Sequence, residues 1–393
     1  MTITPVAAAP RTAEEILARA RALAPVVRAR ADEIERTRHL PADIAEMMRD
    51  AGVFRMCFGR DWDGPELTSM QQTEVVEALS YGDASVGWCA VIGAYTGLFA
   101  NFLDQDVARK MFPSLDTITA GLLQPSGRAE RVPGGYRLSG RWSFGSGIAN
   151  CDWVISGGFV YDGDNRVELR QFLVPRTEAA LVDNWHTTGL AGSGSCDYTI
   201  TDVFVPAEHT LTFREPKVPA SPLAHADSFT RSMGAMPLGV ARAALDHVRE
   251  TVESRMDWLT RTAWKDRWRV QVALAECEAD FTATRAGVYE ALERQWAVLS
   301  AGGTLDDLAP TERTAVPLAT WHAFRTARSI VGRLYDLLQT WSIYRERSPM
   351  DRWLRDTNTM CQHLAAHDRI LQSAGAYLLG GEPEFGICLG IVG

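Results

Sequence analysis

The sequence predicts an α+β protein in which helical segments flank a central β domain. Three observations predict this order. Apolar residues recur with helical spacing over about the first 115 residues, alternate in short strand-like runs from 117 to 213, and return to the helical period after 226. We therefore place an N-terminal helical domain at 1–116, a central β domain at 117–214 and a C-terminal helical bundle at 215–393.

The N-terminal domain is predicted to contain a series of amphipathic helices. The first covers 12–38 and has Thr12 as its N-cap. A second helix starts at Pro41 and ends near Gly52, and further helices cover 69–81 and 104–112. These helices account for most of the first 115 residues.

The central domain carries short strand patterns such as Trp153-Val-Ile and Tyr198-Thr-Ile, with turn residues between them. Their close spacing predicts a compact β-barrel or sandwich. Residues 215–226 contain three prolines and are expected to form a linker. Four segments after the linker have the helical period and exceed the average helix length, which predicts an antiparallel four-helix bundle: 236–255, 264–296, 310–339 and 352–379.

Composition excludes several partners. The net charge is −9, with 40 basic and 49 acidic residues, and no block of basic residues marks a nucleic-acid or anionic-membrane surface. The uncharged run from 84 to 103 is long enough to span a membrane, but glycines and polar residues dilute it, so a buried core helix is expected. Seven cysteines without a Cys-x-x-Cys pair favour a reducing cytoplasm.

Familiar cofactor motifs are absent from the sequence. It contains no Gly-x-Gly-x-x-Gly, no Walker phosphate loop, no Gly-x-Ser-x-Gly and no His-Glu-x-x-His. His363 and His367 are four residues apart on a predicted helix, but no third ligand is placed to join them, so we predict no metal site. The stretch from Gly140 to Gly147, Gly-Arg-Trp-Ser-Phe-Gly-Ser-Gly, is a strand pattern with two hydroxyls, ending in glycines that permit close approach of a ligand.

Four strings in the same order make the sequence resemble the acyl-CoA dehydrogenase superfamily over about residues 12–379. The resemblance implies that superfamily's fold: a helical domain, a β-barrel domain and a four-helix bundle. The strings are Val75-Val-Glu-Ala-Leu-Ser-Tyr-Gly-Asp-Ala-Ser-Val, Gly189-Leu-Ala-Gly-Ser-Gly-Ser with Asp202-Val-Phe-Val-Pro206, Leu274-Ala-Glu-Cys through Ala283-Thr-Arg285, and Pro349-Met-Asp-Arg-Trp-Leu-Arg-Asp356.

Departures from the dehydrogenase pattern decide the branch. The Glu that commonly follows Arg-Asp in dehydrogenases is absent, and His363 and Leu364 stand in its place. The Gly-Gly that cradles the FAD pyrophosphate is replaced in Gln339-Thr-Trp-Ser-Ile, and Arg-x-x-Phe-Gly is not kept in Arg255-Met-Asp-Trp-Leu. FMN has no pyrophosphate and a shorter tail than FAD, so it would suit a site without these motifs.

The sequence is most similar in these respects to the flavin-dependent monooxygenases that receive reduced flavin from a separate NAD(P)H:flavin reductase. The resemblance implies reduced FMN (or FADH2) and O2 as co-reactants, and transfer of one oxygen atom to an aromatic or natural-product small molecule through a flavin C4a-hydroperoxide. It places Ser146 against flavin N5, Phe144 against the ring, and His363 near the substrate or the hydroperoxide.

These residue types suit the chemistry. A neutral hydroxyl in an apolar pocket can hold the N5 proton of reduced flavin, which suits Ser146. An imidazole can remove the proton of a phenol, which suits His363 as a base, and for a sulfur or amine substrate it could instead bind the hydroperoxide. Further cofactor candidates are Ser143, Leu122, Gln124, Arg255, Arg261 and Ser342, and candidates for the substrate pocket are Trp88, Tyr95 and Trp185.

The alternatives remain open at this point. Core packing accounts equally well for the aromatic candidates, and surface ion pairs account for the two arginines. The chain could be an FAD-dependent acyl-CoA dehydrogenase, an N- or S-oxygenase of an amine or thiophene-type substrate, or a scaffold without activity. Relatives of this build are commonly homotetramers, so the resemblance also implies that assembly.

Overall fold

The computed structural model describes residues 9–392. Its N-terminal part is helical, as predicted. The helices are α1 (Ala13–Ala29), α2 (Ala31–Thr37), α3 (Ala42–Asp50), α4 (Ser69–Gly82), α5 (Ala84–Ala94), α6 (Thr96–Ala100) and α7 (Gln105–Met111).

Helix α1 begins where the sequence predicts. The Thr12 side chain accepts a hydrogen bond from the Glu15 N–H, and the Glu15 side chain accepts one from the Thr12 N–H, which forms a capping box. The predicted helix over 12–38 is not continuous, because the backbone of Arg30 leaves helical geometry between α1 and α2.

The uncharged run lies in the core, as predicted, but forms two helices instead of one. Every residue of α5 except Ile92 is buried, and all of α6 is buried. Asp83 caps α5, accepting hydrogen bonds from the N–H groups of Ser85 and Val86. Within residues 9–392, helices long and apolar enough to cross a membrane are absent.

The central part is one mixed sheet with the strand order β5-β6-β2-β1-β3-β4-β7. Strands β1 and β3 pair in parallel, and the other neighbours pair antiparallel. The strands are β1 (Thr119–Val132), β2 (Gly135–Trp142), β3 (Trp153–Asp162), β4 (Asn165–Pro175), β5 (Ala180–Val182), β6 (Asp197–Pro206) and β7 (Thr210–Leu211).

The C-terminal part is a helical bundle that also packs against the N-terminal helices. Helices α9, α10 and α12 pack on one another, and α4 packs on α9. Glu77 of α4 binds Arg285 and Tyr289 of α10. The helices are α8 (Ser228–Arg231), α9 (Ala235–Ser254), α10 (Trp268–Ser300), α11 (Pro310–Arg313), α12 (Ala315–Leu338), α13 (Met350–Met360) and α14 (Arg369–Leu378).

The predicted helix over 352–379 is wrong in its middle. Helices α13 and α14 are separated by a turn of 3₁₀ helix at Leu364–Ala366, and His363 caps that turn with an extended backbone. Its ring accepts a hydrogen bond from the Ala365 N–H, so a side chain competes with the helical hydrogen-bond pattern. His363 and His367 therefore do not share a helix face.

Candidate active site

Two loops run side by side beyond the paired ends of β2 and β6. The strand pairing ends at Trp142 and Tyr198, whose rings stack with 5.4 Å between their centroids. The loops then continue the contact through two backbone hydrogen bonds. The Gly145 N–H donates to Cys196 O at 3.0 Å, and the Gly147 N–H donates to Ser193 O at 2.8 Å. This pairing fixes the loop that carries Ser146.

Ser146 is buried and its hydroxyl has two partners. Nε1 of Trp88, on α5, donates to the Ser146 Oγ at 3.0 Å, and the Ser195 Oγ lies 2.7 Å from it. The following Gly147 has φ +72°, a conformation that a residue with a Cβ rarely adopts. Gly147 therefore lets the backbone turn directly after Ser146.

Trp88 brings the two predicted catalytic residues together. Its ring meets the ring of His363 edge-on, with 5.0 Å between the centroids and an interplanar angle of 86°. Its Nε1 is the group that donates to Ser146. Residues from α5, the loop after β2 and the turn between α13 and α14 therefore form one cluster, and Trp88 is its centre.

The ring of His363 is neutral at neutral pH. Burial lowers its pKa to about 4. Its Nδ1 accepts the Ala365 N–H at 3.2 Å and so carries no proton, which puts the ring proton on Nε2. His363 is thereby set up as a hydrogen-bond donor at Nε2, which differs from the base expected from the sequence.

Phe144 presents an apolar ring beside this cluster. Its side chain is 58% exposed, and its φ of +62° is uncommon for a residue with a side chain. The Trp185 ring meets it edge-on at 6.2 Å, and the Trp185 Nε1 donates to Leu190 O at 3.1 Å. An exposed aromatic ring held by a strained backbone next to a buried hydroxyl is typical of a ligand contact.

Helix α13 anchors the second loop. The Leu190 N–H donates to a carboxylate oxygen of Asp356 at 2.7 Å, and Arg355 donates to Thr188 O at 2.6 Å. Gly189 allows this approach, because a Cβ there would lie 2.3 Å from the carbonyl oxygen of Arg355. Two strings that carry the family resemblance, one in this loop and one in α13, are thus in direct contact.

Asp356, which anchors this loop, has an unusually high pKa for a carboxyl group. Burial, with the neighbouring Asp83 adding to it, raises the pKa of Asp356 to about 7. Burial also raises the pKa of Asp83 to about 6. The folded state therefore binds a proton at Asp356 in a pH range where the unfolded chain does not.

Asp356→Asn is expected to flatten the pH dependence of stability. Because the folded pKa lies above the unfolded one, the stabilisation from this group is complete at low pH and is lost as the pH rises through about 7. Between pH 5.5 and 8 the loss is on the order of 2 kcal/mol in the wild type. Urea unfolding of both proteins at the two pH values measures it. Asp368→Asn changes an exposed carboxylate and serves as the control, which should keep the pH dependence of the wild type. An unchanged pH dependence in Asp356→Asn would contradict the prediction.

Three predicted cofactor contacts lie on or near the sheet. The Ser143 side chain bonds the carboxylate of Asp197. The Leu122 N–H donates to the Tyr198 hydroxyl at 3.1 Å, close to an irregularity in the pairing of β1 with β3. Gln124 is exposed at the same irregularity.

The other three predicted cofactor contacts lie in the C-terminal part. The Arg255 guanidinium is stacked between Trp264 and Trp341, 4.3 Å from each ring centroid. In the described part of the chain its buried Nη1 has no hydrogen-bond partner. Arg261 is exposed, and Ser342 is buried with its hydroxyl donating to Tyr335 O at 2.7 Å.

Tyr95 lies in an aromatic cluster of the core. Its ring meets Phe229 edge-on at 5.3 Å, and its hydroxyl donates to the backbone carbonyl of Phe229. Of the three predicted pocket residues, Trp88 contacts both predicted catalytic side chains, whereas Trp185 contacts Phe144.

Sequence reasoning missed Ser193, Ser195 and Asp356 as site residues. All three stand in strings that carry the family resemblance, but no chemical role was assigned to them. The signal that could have found them is the alternation of serine and glycine in Gly-Ser-Gly-Ser, which puts small hydroxyls on a flexible loop.

Comparison with known proteins identifies the family. Residues 10–115 match the family model described as the N-terminal domain of acyl-CoA dehydrogenase, and residues 232–368 match that of its C-terminal domain. An indole-3-acetate monooxygenase of Pseudomonas putida is 32% identical over 363 residues, which cover 91% of this chain and 91% of that protein.

A second relative and a solved structure extend the comparison. The oxygenase subunit HsaA of a flavin-dependent monooxygenase from Rhodococcus jostii (strain RHA1) is 26% identical, with 93% of this chain and 97% of that protein covered. The structure of XiaF from Streptomyces sp. in complex with FADH2 and glycerol superposes with a TM-score of 0.88 at 23% identity, covering 95% of this chain and 96% of that one.

The fold and these comparisons define a flavoprotein of the acyl-CoA dehydrogenase type. The chain belongs to the acyl-CoA dehydrogenase superfamily, in its branch of flavin-dependent monooxygenases. The predicted fold class, family and enzyme class are thereby confirmed.

Proposed function

We propose that the chain is the oxygenase component of a two-component monooxygenase that inserts one atom of O2 into an aromatic substrate. A separate NAD(P)H:flavin reductase supplies the reduced flavin, and the second oxygen atom leaves as water. The observation that carries the proposal is the cluster of Ser146, Trp88 and His363. No carboxylate takes the place of His363, so the cluster lacks the base that an acyl-CoA dehydrogenase needs at this position.

The residues present fit a flavin. The Ser146 Oγ has one lone pair left after it accepts from Trp88, so it can accept a further N–H. The exposed ring of Phe144 suits one face of the isoalloxazine. The unpartnered Nη1 of Arg255 suits an oxygen of the flavin phosphate, whether the cofactor is FMN or FAD.

Each side chain of the cluster then has a distinct task. Reduced flavin, when bound, supplies the electrons and activates O2. Ser146 holds the proton at flavin N5 by accepting a hydrogen bond from it. The Nε2–H of His363 donates to an oxygen of the substrate or of the group being transferred. Trp88, which is 6% exposed, positions both residues and keeps water from the space between them.

Arg255→Ala is expected to raise the Kd for FMN about tenfold, because a charge-assisted hydrogen bond to phosphate is lost. Fluorescence titration measures the Kd. Arg267→Ala is a matched control in the same segment, since Arg267 is already paired with Asp257 at 2.6 Å. Equal Kd values for the two variants would remove Arg255 from the flavin site.

The proposal is tested with the purified chain and two aromatic probes. Indole-3-acetate appears in the name of the Pseudomonas putida relative, and resorcinol in the name of another relative, a resorcinol hydroxylase. We expect a hydroxylated product only when a flavin reductase, NAD(P)H and flavin are all supplied. Reaction with oxidised flavin alone should give none. Tightly bound FAD that is bleached by an acyl-CoA under anaerobic conditions would overturn the proposal and favour a dehydrogenase.

Assembly and location are part of the same proposal. We infer a homotetramer, which is supported by apolar side chains on the C-terminal part that are largely exposed in one chain: Trp258 at 83%, Leu259 at 73% and Trp268 at 76%. Light scattering after gel filtration measures the assembly, and a monomer would contradict it. A cytoplasmic location is supported by the seven cysteines, all of which are free. The partners are small molecules and the reductase, with no role for nucleic acid or membrane.

A further inference from the structure

We propose that Ser195 and Ser193 orient the hydroxyl of Ser146 so that it accepts a hydrogen bond from flavin N5 and cannot donate one. They act as positioning residues, and the inference rests on the proposed function. Ser146, Ser195 and Ser193 are called the serine chain below.

The serine chain is continuous and buried. The Oγ atoms of Ser146 and Ser195 are 2.7 Å apart, and those of Ser195 and Ser193 are also 2.7 Å apart. The Ser193 Oγ lies 2.7 Å from Leu190 O. The three side chains are 7%, 5% and 1% exposed, in that order from Ser146, so water does not compete for these hydroxyls.

The carbonyl end of the serine chain fixes the direction of every hydrogen bond in it. A carbonyl oxygen only accepts, so Ser193 spends its single proton on Leu190 O. Ser195 must then donate to Ser193, and Ser146 must donate to Ser195. At the other end, the Trp88 N–H only donates, so Ser146 accepts from it. The Leu190 end therefore sets the orientation, and the Trp88 end is compatible with it.

The orientation is held by the fold. The carbonyl that ends the serine chain belongs to Leu190, whose N–H is bound by the buried Asp356. The same carbonyl accepts from the Trp185 Nε1 at 3.1 Å. The Gly147 N–H donates to Ser193 O, which ties the two loops together on the other side. The acceptor for Ser193 therefore cannot turn away.

The consequence is a preference for one redox state of the flavin. Reduced flavin carries a proton on N5 and needs an acceptor there, whereas oxidised flavin has a bare N5 and needs a donor. Ser146, with its proton turned toward Ser195, can serve only the reduced form. A protein that receives reduced flavin from another enzyme gains by binding that form more tightly.

Binding measurements without turnover test the inference. FMN is titrated in its oxidised form, and in its reduced form under anaerobic conditions. The ratio used below is the Kd for oxidised FMN divided by the Kd for reduced FMN. Ser195→Ala releases the proton of Ser146, which can then turn to oxidised N5. We expect oxidised FMN to bind about fivefold more tightly, so that the ratio falls. Ser193→Ala should lower the ratio less, because Ser195 remains as a partner.

Two further variants separate the explanations. Ser146→Ala should weaken binding of reduced FMN and leave oxidised FMN unchanged, so it lowers the ratio through the reduced form, whereas Ser195→Ala lowers it through the oxidised form. Ser228→Ala is the matched control, since Ser228 is 3% exposed and its hydroxyl donates to Leu223 O at 3.0 Å. It should have the ratio of the wild type.

The outcomes distinguish the inference from the function on which it rests. If Ser146→Ala weakens reduced FMN but Ser195→Ala and Ser193→Ala match Ser228→Ala, the serine chain has no orienting role, while the proposed function stands. If the wild type binds reduced FMN no more tightly than oxidised FMN, the inference is overturned. If it binds neither form, both fail. Should Ser195→Ala not fold, Ser193→Ala makes the same test.

Discussion

Replacing His363 by alanine is expected to lower the rate of product formation about 100-fold, the usual cost of losing a preorganised donor at the reacting group. Consumption of O2 should continue, because Ser146 and Trp88 keep their hydrogen bond without His363. The measurement is product formed per O2 consumed with reduced FMN supplied. Unchanged product in His363→Ala would remove the residue from the mechanism.

A second variant separates a donor from a base. His363→Gln keeps an N–H at similar reach but cannot take up a proton at neutral pH. It should retain much more activity than His363→Ala if the Nε2–H of His363 is what acts. His367→Ala is the matched control, because the Nδ1 of His367 accepts the Arg369 N–H at 3.1 Å in the same kind of cap, but its side chain is exposed. An equal loss of activity in His363→Gln and His363→Ala would instead support His363 as a base.

The pH profile gives the same answer independently. Because the pKa of His363 is lowered to about 4, its ring stays neutral as the pH falls through 6.5, and the rate should show no loss there from this residue. A loss near pH 6.5 that disappears in His363→Gln would contradict the assignment.

Ser146→Ala is expected to uncouple the enzyme. Without an acceptor for the N5 proton, a larger share of the O2 consumed should leave as hydrogen peroxide, roughly tenfold more than in the wild type. Peroxide and product are measured together against total O2. Ser373→Ala, another fully buried serine, should behave as the wild type. Equal peroxide from both variants would count against Ser146 as the partner of N5.

The parts of the fold that depend on local sequence could be predicted. Thr12 and Glu15 form a capping box within one turn, so the start of α1 is readable from the residues alone. The pairing of Ser146 with His363 across the chain came from the family resemblance, since no local pattern connects a β loop to a turn in the C-terminal part.

The break at His363 could not be predicted from periodicity. Apolar residues continue with helical spacing through 352–379, yet α13 ends at Met360, and the ring of His363 binds the Ala365 N–H at the start of the following turn. Apolar periodicity indicates which residues are buried, but it does not indicate where a side chain forms a hydrogen bond with the backbone.

The serine chain depends on a contact between distant segments. Ser195 meets Ser146 only because the loops after β2 and before β6 pair, and the loop before β6 is held by Asp356 in α13. Trp88 is a similar case. Its position in an uncharged helix predicts core packing as readily as a site, and in the structure it is buried in the core and also contacts Ser146 and His363.

In the proposed reaction, O2 supplies the oxygen atom that the product gains. The direct measurement is mass spectrometry of the product formed under ¹⁸O2, with reduced FMN supplied and indole-3-acetate or resorcinol as substrate. We expect the product to carry one ¹⁸O atom, in a hydroxyl group that replaces one hydrogen, and to gain no ¹⁸O when the reaction runs under unlabelled O2 in H2¹⁸O. A product labelled from water, or desaturation of an acyl-CoA without any uptake of oxygen, would contradict it.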